Sequence, residues 1–302
     1  MAAAADGAGP DGAGPRGVVA PQPPCPFAGE GGAQASRPAV LRGTPQSRIA
    51  HRAPARRTGQ QAGAQVVTLT CFRFGGPGAR LRQLASMPPV YHALARVPGA
   101  AFARMMGTGT GEGFDPAPNT AVWTLLASWD DMAAAAEGVE HAAPWAARCA
   151  RAEECCTLFL APLSATGRWG GVEPFEVHPD PDARAAGRPI AVLTRATVRA
   201  RHLIRFWRKV PAINAQIAAG PGMLFRMGMG EVPLLHQVTF SVWRDAGAMR
   251  AFAYGGKGHA AAIAAVRAGD WFAEELYARF AVLGTSGSWQ GGAVLREHAP
   301  AG

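Results

Sequence analysis

Lysine is almost absent from this chain, occurring only at Lys209 and Lys257, although the formal net charge is +9. Residues 1–65 carry seven arginines against three acids, so the remainder is only mildly basic. No basic patch is interleaved with aromatics as single-strand binders require, which argues against a nucleic-acid partner. A weak attraction to an anionic bilayer is the better use of the charge, as a peripheral membrane contact. No apolar run approaches the roughly 18 residues needed to span a bilayer, and the N-terminus lacks the basic-then-apolar plan of a signal peptide. A cytoplasmic protein, with association at the cytoplasmic face of a membrane, is the expectation. Cysteine is scarce too: Cys25, Cys71, Cys149, Cys155 and Cys156 form an odd set with no CxxC or Cys/His ligand spacing. Reduced, buried thiols are expected rather than a disulfide framework or a zinc site.

What is abundant is uneven. Of 302 residues, 38 are Gly and 25 are Pro, and the first 65 residues read as Ala/Gly/Pro/Arg repeats without periodic apolar spacing. Such a stretch cannot offset its ordering entropy and is expected to be a disordered tail. The rest, at 48% apolar content for the whole chain, has enough hydrophobic surface for one large core or two ordinary ones.

Self-similarity organises that remainder. The run VVTLTCFRF from Val66 matches PIAVLTRATV from Pro189, RMMGTG from Arg104 matches RMGMG from Arg226, and VWTLLASW from Val122 matches QVTFSVW from Gln237. GRW at 167–169 matches GSW at 287–289. Partners lie 121 (Gly107 to Gly228), 114 (Trp129 to Trp243) and 120 (Trp169 to Trp289) residues apart, as one duplicated unit with loop insertions would place them.

In the first copy, 66–169, the patterning predicts a strand at 66–74, a helix at 79–96, strands at 101–107 and 121–129, helical segments over 131–152 and a strand at 156–162. A Pro-rich linker at 170–188 leads to the second copy, 189–289, with a strand at 190–198, a helix at 201–219 and strands at 222–229 and 236–243. Helices at 245–253 and 259–275 and a strand at 277–283 complete it, before a flexible C-terminus at 290–302. The order βαββαβ describes a ferredoxin-like α+β unit, whose antiparallel sheet has helices on one face. Two tandem units cover their bare faces by packing together as a dimeric α+β barrel-like pair.

Glycines at 107, 109, 111 and 113 in GTGTGEGFD superficially resemble a dinucleotide fingerprint. Pro116 and Pro118 follow where a helix should begin, so a tight connection between two strands, serving as a pocket rim, is preferred.

Residues 66–289 resemble the spheroidene monooxygenase family. The resemblance is carried by VTLTCFRF from Val67, GTGTGEGFD over 107–115, SATGRW ending at Trp169, EPFE from Glu173, RFW from Arg205, GMGEVPL over 228–234, QVTFSVW from Gln237, Gly258-His259 and WFAEELYARF from Trp271. It implies an oxidoreductase, a monooxygenase using dioxygen, haem b and electrons from reduced ferredoxin. Its carotenoid substrates would be spheroidene-type acyclic methoxycarotenoids of photosynthetic bacteria. Two hydroxylations at one methylene, then loss of water from the geminal diol, would leave a keto group at C-2. A cofactor-free monooxygenase of the antibiotic-biosynthesis type and a non-enzymatic carotenoid carrier are the alternatives on the same fold.

The resemblance also bears on the iron ligand. His259 lies in one of its blocks and opens the apolar run AAAIAAV directly after Gly256-Lys257-Gly258, so it is taken as the proximal haem ligand. His141, its approximate counterpart in the first copy, and His202 and His236 are the alternatives. His51, His178 and His298 fall in the tail, the linker and the C-terminus, and His92 is helical. A thiolate ligand is disfavoured because Cys155-Cys156 opens a strand, where one of the two must face the core. Arg195 and Arg226, on buried strands, could each meet a haem propionate or form an internal ion pair with Glu231 or Asp245.

Overall fold

The structure, a computed structural model, describes residues 64–110, 115–208, 210, 220–255 and 270–296. The first half runs β1 (Val66–Arg73), α1 (Pro77–Ala85), α2 (Met87–Leu94), β2 (Ala100–Gly109), β3 (Pro118–Trp129), α3 (Met132–His141), α4 (Ala143–Cys149) and β4 (Glu154–Gly167). A short helix α5 (Pro181–Ala185) lies in the predicted linker. The second half runs β5 (Ile190–Val198), a 3-10 turn (Ala200–His202), α6 (Leu203–Trp207), β6 (Met223–Gly230), β7 (His236–Trp243), α7 (Ala246–Gly255) and β8 (Phe272–Gly287).

Each half has the strand order of a ferredoxin-like sheet, 4-1-3-2, and the two sheets join edge to edge into one closed antiparallel barrel, β1-β3-β2-β6-β7-β5-β8-β4. Closure leaves no strand without a partner on both sides, although one of the joins is short. The α+β barrel expectation therefore holds. The two seams between halves differ: β4 and β8 share eleven residue pairs, whereas β2 and β6 share two, Gly107 with Gly230 and Thr108 with Met229. Phe102 and Phe225 each follow the same register shift, so the duplication aligns Gly107 with Gly230 rather than with Gly228.

Period-2 alternation explains the layers. Val67, Leu69 and Cys71 point into the barrel with Leu193, Met227, Phe240 and Phe280. Val66 and Phe72 face outward against Val90, Leu94 and Trp145 on the helices. The outward Thr68 and Thr70 are buried beneath those helices and accept hydrogen bonds from the indole nitrogens of Trp129 (2.8 Å) and Trp145 (3.1 Å), satisfying groups that water cannot reach.

Three expectations need correction. The helix predicted over 79–96 is two helices, because Pro88 and Pro89 are tolerated only in a first turn and the chain restarts after Ser86. The helix predicted over 259–275 cannot extend to 275, since β8 already begins at Phe272; residues 256–269 lie outside the described residues. Cys149 and Cys155 are joined by a disulfide, not reduced: the end of α4 and the start of β4 bring their Cα atoms to 5.4 Å, within bonding reach. Cys71 and Cys156 are free, buried cross-strand neighbours, and the hydrogen bond between them, with burial, pushes the Cys71 thiol well up. Among the described residues no helix is long and apolar enough to cross a membrane.

Candidate active site

The short seam leaves the barrel wall open where β2 and β6 part, and the β6–β7 turn crosses that gap. Gly230 begins the turn, where an added Cβ would strike the His236 carbonyl. Leu234 occupies left-handed backbone at φ 67°, a conformation that costs a branched side chain energy and persists only where its surroundings impose it. Trp207 Nε1 donates to the Leu234 carbonyl at 3.1 Å and ties the turn to α6.

A cleft of about 300 Å³ opens here. Its walls are Leu84 and Met87 from the first-half helices, Trp123 from β3, Trp207 from α6, Met229 from β6 and Leu234 from the turn. Gly107, Thr108, Gly109 and Asp115 form its rim, as the pocket-rim reading of the glycine loop required; residues 111–114 lie outside the described residues. That loop leads from β2 into β3, not into a helix, with Thr110 N donating to the Ala117 carbonyl at 2.9 Å.

Beneath the cleft lies a buried charge cluster centred on Glu231, which is 3% exposed. Arg104 Nε lies 2.8 Å from Glu231 Oε1, Trp169 Nε1 donates to Oε2 at 2.8 Å, and Arg195 Nη2 is 3.6 Å from Oε2. Arg195 also pairs with Glu274 through Nη1, and Glu274 accepts from the backbone nitrogens of Gly170 (2.8 Å) and Gly171 (2.7 Å). Arg104 and Arg195 face inward because they continue the inward period of Phe102 on β2 and of Ala191 and Leu193 on β5. Each guanidinium lies over an aromatic ring, Arg104 over Phe102 and Arg195 over Trp169, which suits a poorly hydrated cation.

Burial alone would raise the Glu231 carboxyl, but the His236 contact and the charges of Arg104 and Arg195 outweigh it and hold the group below its usual range. Burial lowers Arg104 against the pull of Glu231. His236 lines the cleft, 16% exposed, with Nδ1 at 3.2 Å from Glu231 Oε2.

Most of the other predicted site residues that the structure describes lie away from this cluster. His259, the expected haem ligand, lies outside the described residues, as do His51 and His298. His141 is exposed beside Glu137 and Glu140, and His92 is exposed on α2. His178 accepts from Asp180 N in the linker, and His202 stacks on Trp271 while its Nε2 takes a bond from Arg201. Among the described histidines, His236 is the one that lines the cleft. Of the two proposed ion pairs, Arg195 makes the one with Glu231. Arg226 lies half-buried on the outward face of β6, and Asp245 instead caps α7, accepting from Ala248 N at 2.7 Å. Sequence reasoning missed Arg104 and Glu274 as cluster members; charges at inward-facing strand positions were the signal.

A single-chain dimeric α+β barrel with an apolar cleft over a compensated charge cluster is a fold and site suited to an apolar ligand. No family model matches the chain. Spheroidene monooxygenase of Cereibacter sphaeroides is 47% identical over 229 residues, covering 75% of this chain and 69% of that protein. Spheroidene monooxygenase of Rhodobacter capsulatus is 42% identical over 230 residues, covering 75% and 93%. A solved aldoxime dehydratase is similar at a TM-score of 0.48 and 14% identity, over 77% of this chain and 89% of its own. The chain belongs to the spheroidene monooxygenase family.

Proposed function

We propose that the chain is a haem-dependent carotenoid monooxygenase that places a keto group at C-2 of spheroidene-type acyclic methoxycarotenoids, using dioxygen and reduced ferredoxin. The apolar cleft at the short seam carries this reading in a chain of this family. A polyene offers almost no polar handles, so its site must be walled by apolar groups with few polar ones at fixed points. At about 300 Å³ the cleft suits the end of a long polyene rather than its length, which accords with oxidation near a terminus.

The described residues fit a haem in two respects. The walls are apolar, and His236 presents an imidazole whose Nδ1 lies 3.2 Å from the Glu231 carboxylate, the kind of neighbour that steadies a ligating imidazole. His259 is the proposed ligand, from the resemblance, and His236 is the second candidate, from the cleft. Bound haem would supply oxygen activation. The chain supplies the rest: Leu84, Trp123, Trp207 and Leu234 seat the chain end and exclude water, and Glu231 sets a negative charge beside His236. Arg104 and Arg195 keep that carboxylate ionised beside the imidazole.

The test is the absorption spectrum of the purified chain, loaded with haem, in oxidised, reduced and carbon-monoxide-bound forms, for wild type, His259→Ala and His236→Ala. Loss or displacement of the Soret band in one variant assigns the ligand. No band after reconstitution of the wild type would overturn the haem reading in favour of a cofactor-free oxygenase or a carrier. Incubation of pigment with reductant and air then separates those two, because a carrier leaves the pigment unchanged.

A further inference from the structure

We propose that the face bearing the cleft mouth docks on an anionic lipid surface. Six large apolar residues are exposed among the described residues, and four of them are on this face: Leu81 (66%), Leu84 (51%), Ile204 (72%) and Leu234 (43%). Leu84 and Leu234 line the cleft itself. Leu81 precedes Leu84 by three positions on α1, and Ile204 precedes the cleft-lining Trp207 by three on α6, so each pair shares one helix face. The two helices are counterparts in the duplication and flank the same opening.

Their charge is of one sign. Arg80 and Arg82 on α1, Arg205 on α6 and Arg208 just after it are all exposed, and neither helix contains an acid. Arg80 Nε donates to the Gly75 carbonyl and Arg205 lies over the Trp271 ring, both neutral partners; the acids nearby, Asp115 on the cleft rim and Glu153 beside Gly75, are fewer than the arginines. Arg201 shares Asp270 with Arg199. Exposed leucine and isoleucine between arginines, with the charged heads able to reach outward while the apolar tips insert, is the pattern of an interfacial surface. A second copy docked symmetrically would set these arginines against one another, and an acidic protein would match them but leave the apolar tips in a polar contact; a lipid surface accepts both.

Docking stands on these residues. That it delivers an apolar substrate to the cleft from the bilayer rests on the carotenoid reading. The test therefore uses carotenoid-free vesicles: sedimentation of the full chain with phosphatidylcholine alone or mixed with phosphatidylglycerol, at low and high salt. Wild type should bind the mixed vesicles and be released by salt. Arg82→Gln with Arg208→Gln should weaken binding by roughly fivefold per arginine. Leu81→Ser with Ile204→Ser should weaken it by about tenfold while keeping the salt dependence, with circular dichroism showing that both variants fold. Absence of binding, equal binding to neutral vesicles, or binding unchanged in both variants would overturn the proposal. So would a vesicle-independent dimer, or a complex with an acidic protein, that uses these residues while the vesicles stay free of protein. Failure of the pigment to react would leave each of these outcomes readable.

Discussion

The two seams of the barrel are related by the duplication yet are built for different work. At β4–β8 long strands pair over eleven positions, and Trp169 and Trp289, each in an isolated bridge (with Val172 and with Gly292), close the two ends. At β2–β6 two pairs suffice, and much of what holds the halves together there is charge: Arg104 from the first half meets Glu231 from the second. Backbone pairing seals a wall, whereas side-chain pairing beneath a short seam leaves an opening above it. The comparison extends to the ends. Glu154 bonds Gly291 N and Arg73 near Trp289 as Glu274 bonds Gly170 N and Arg195 near Trp169, but Arg73 is 34% exposed where Arg195 is 3%. Only the second arrangement is buried beneath the cleft.

Removing the charge at the short seam should have the largest effect. Glu231→Gln leaves Arg104 and Arg195 buried around a neutral amide, and stripping one partner from a buried pair costs about 3–5 kcal/mol. Denaturant unfolding measures it; a loss well under 1 kcal/mol would mean that pairing elsewhere, not this cluster, holds the seam. The same group makes a pH prediction. Its folded-state pKa lies below that of the unfolded chain, so its contribution is complete above the ordinary carboxylate range, near pH ~4.3, and is lost as pH falls through the depressed value. Wild type should lose stability on acidification more steeply than Glu231→Gln, and parallel acid slopes would remove Glu231 from the account.

At the long seam the expected cost is smaller and purely structural. Gly287 has φ +77°, and a Cβ there would strike the Cys155 carbonyl across β4–β8. Gly287→Ala should cost about 2 kcal/mol, read as a lower thermal midpoint, with pigment affinity unchanged in the folded fraction.

The seams also mark where the sequence was legible. Strands β5 and β7 sit where alternation put them, and the repeat implied two like sheets, because inward apolar residues announce themselves by period. The 4-1-3-2 order and the edge-to-edge closure follow from long-range pairing that no local window contains. The start of β8 was hidden because AEEL reads as helix until Glu274 is seen to face Arg195 and two glycine N–H groups, a tertiary contact overriding propensity. Arg195 was legible as a buried cation, with Glu231 one of several partners the sequence left open; Arg104 and Glu274 were not, since each looks solvated until the fold turns its strand inward.

The smallest stability effect should separate the seams most cleanly. Gly107 is at the centre of β2–β6, pairs with Gly230 and lines the cleft. A Cβ built on it meets Trp123 Cζ3 at 3.7 Å, ordinary contact with no backbone in the way, so Gly107→Ala should change unfolding free energy by no more than ~0.5 kcal/mol. The same methyl projects beside the Trp123 wall of a small cleft, where one extra carbon costs a bound ligand on the order of 1 kcal/mol. Carotenoid affinity, titrated by the shift of the polyene absorption bands, should therefore fall about fivefold while the thermal midpoint stays put. If stability falls instead and affinity holds, the short seam is a second structural wall, and the ligand enters elsewhere.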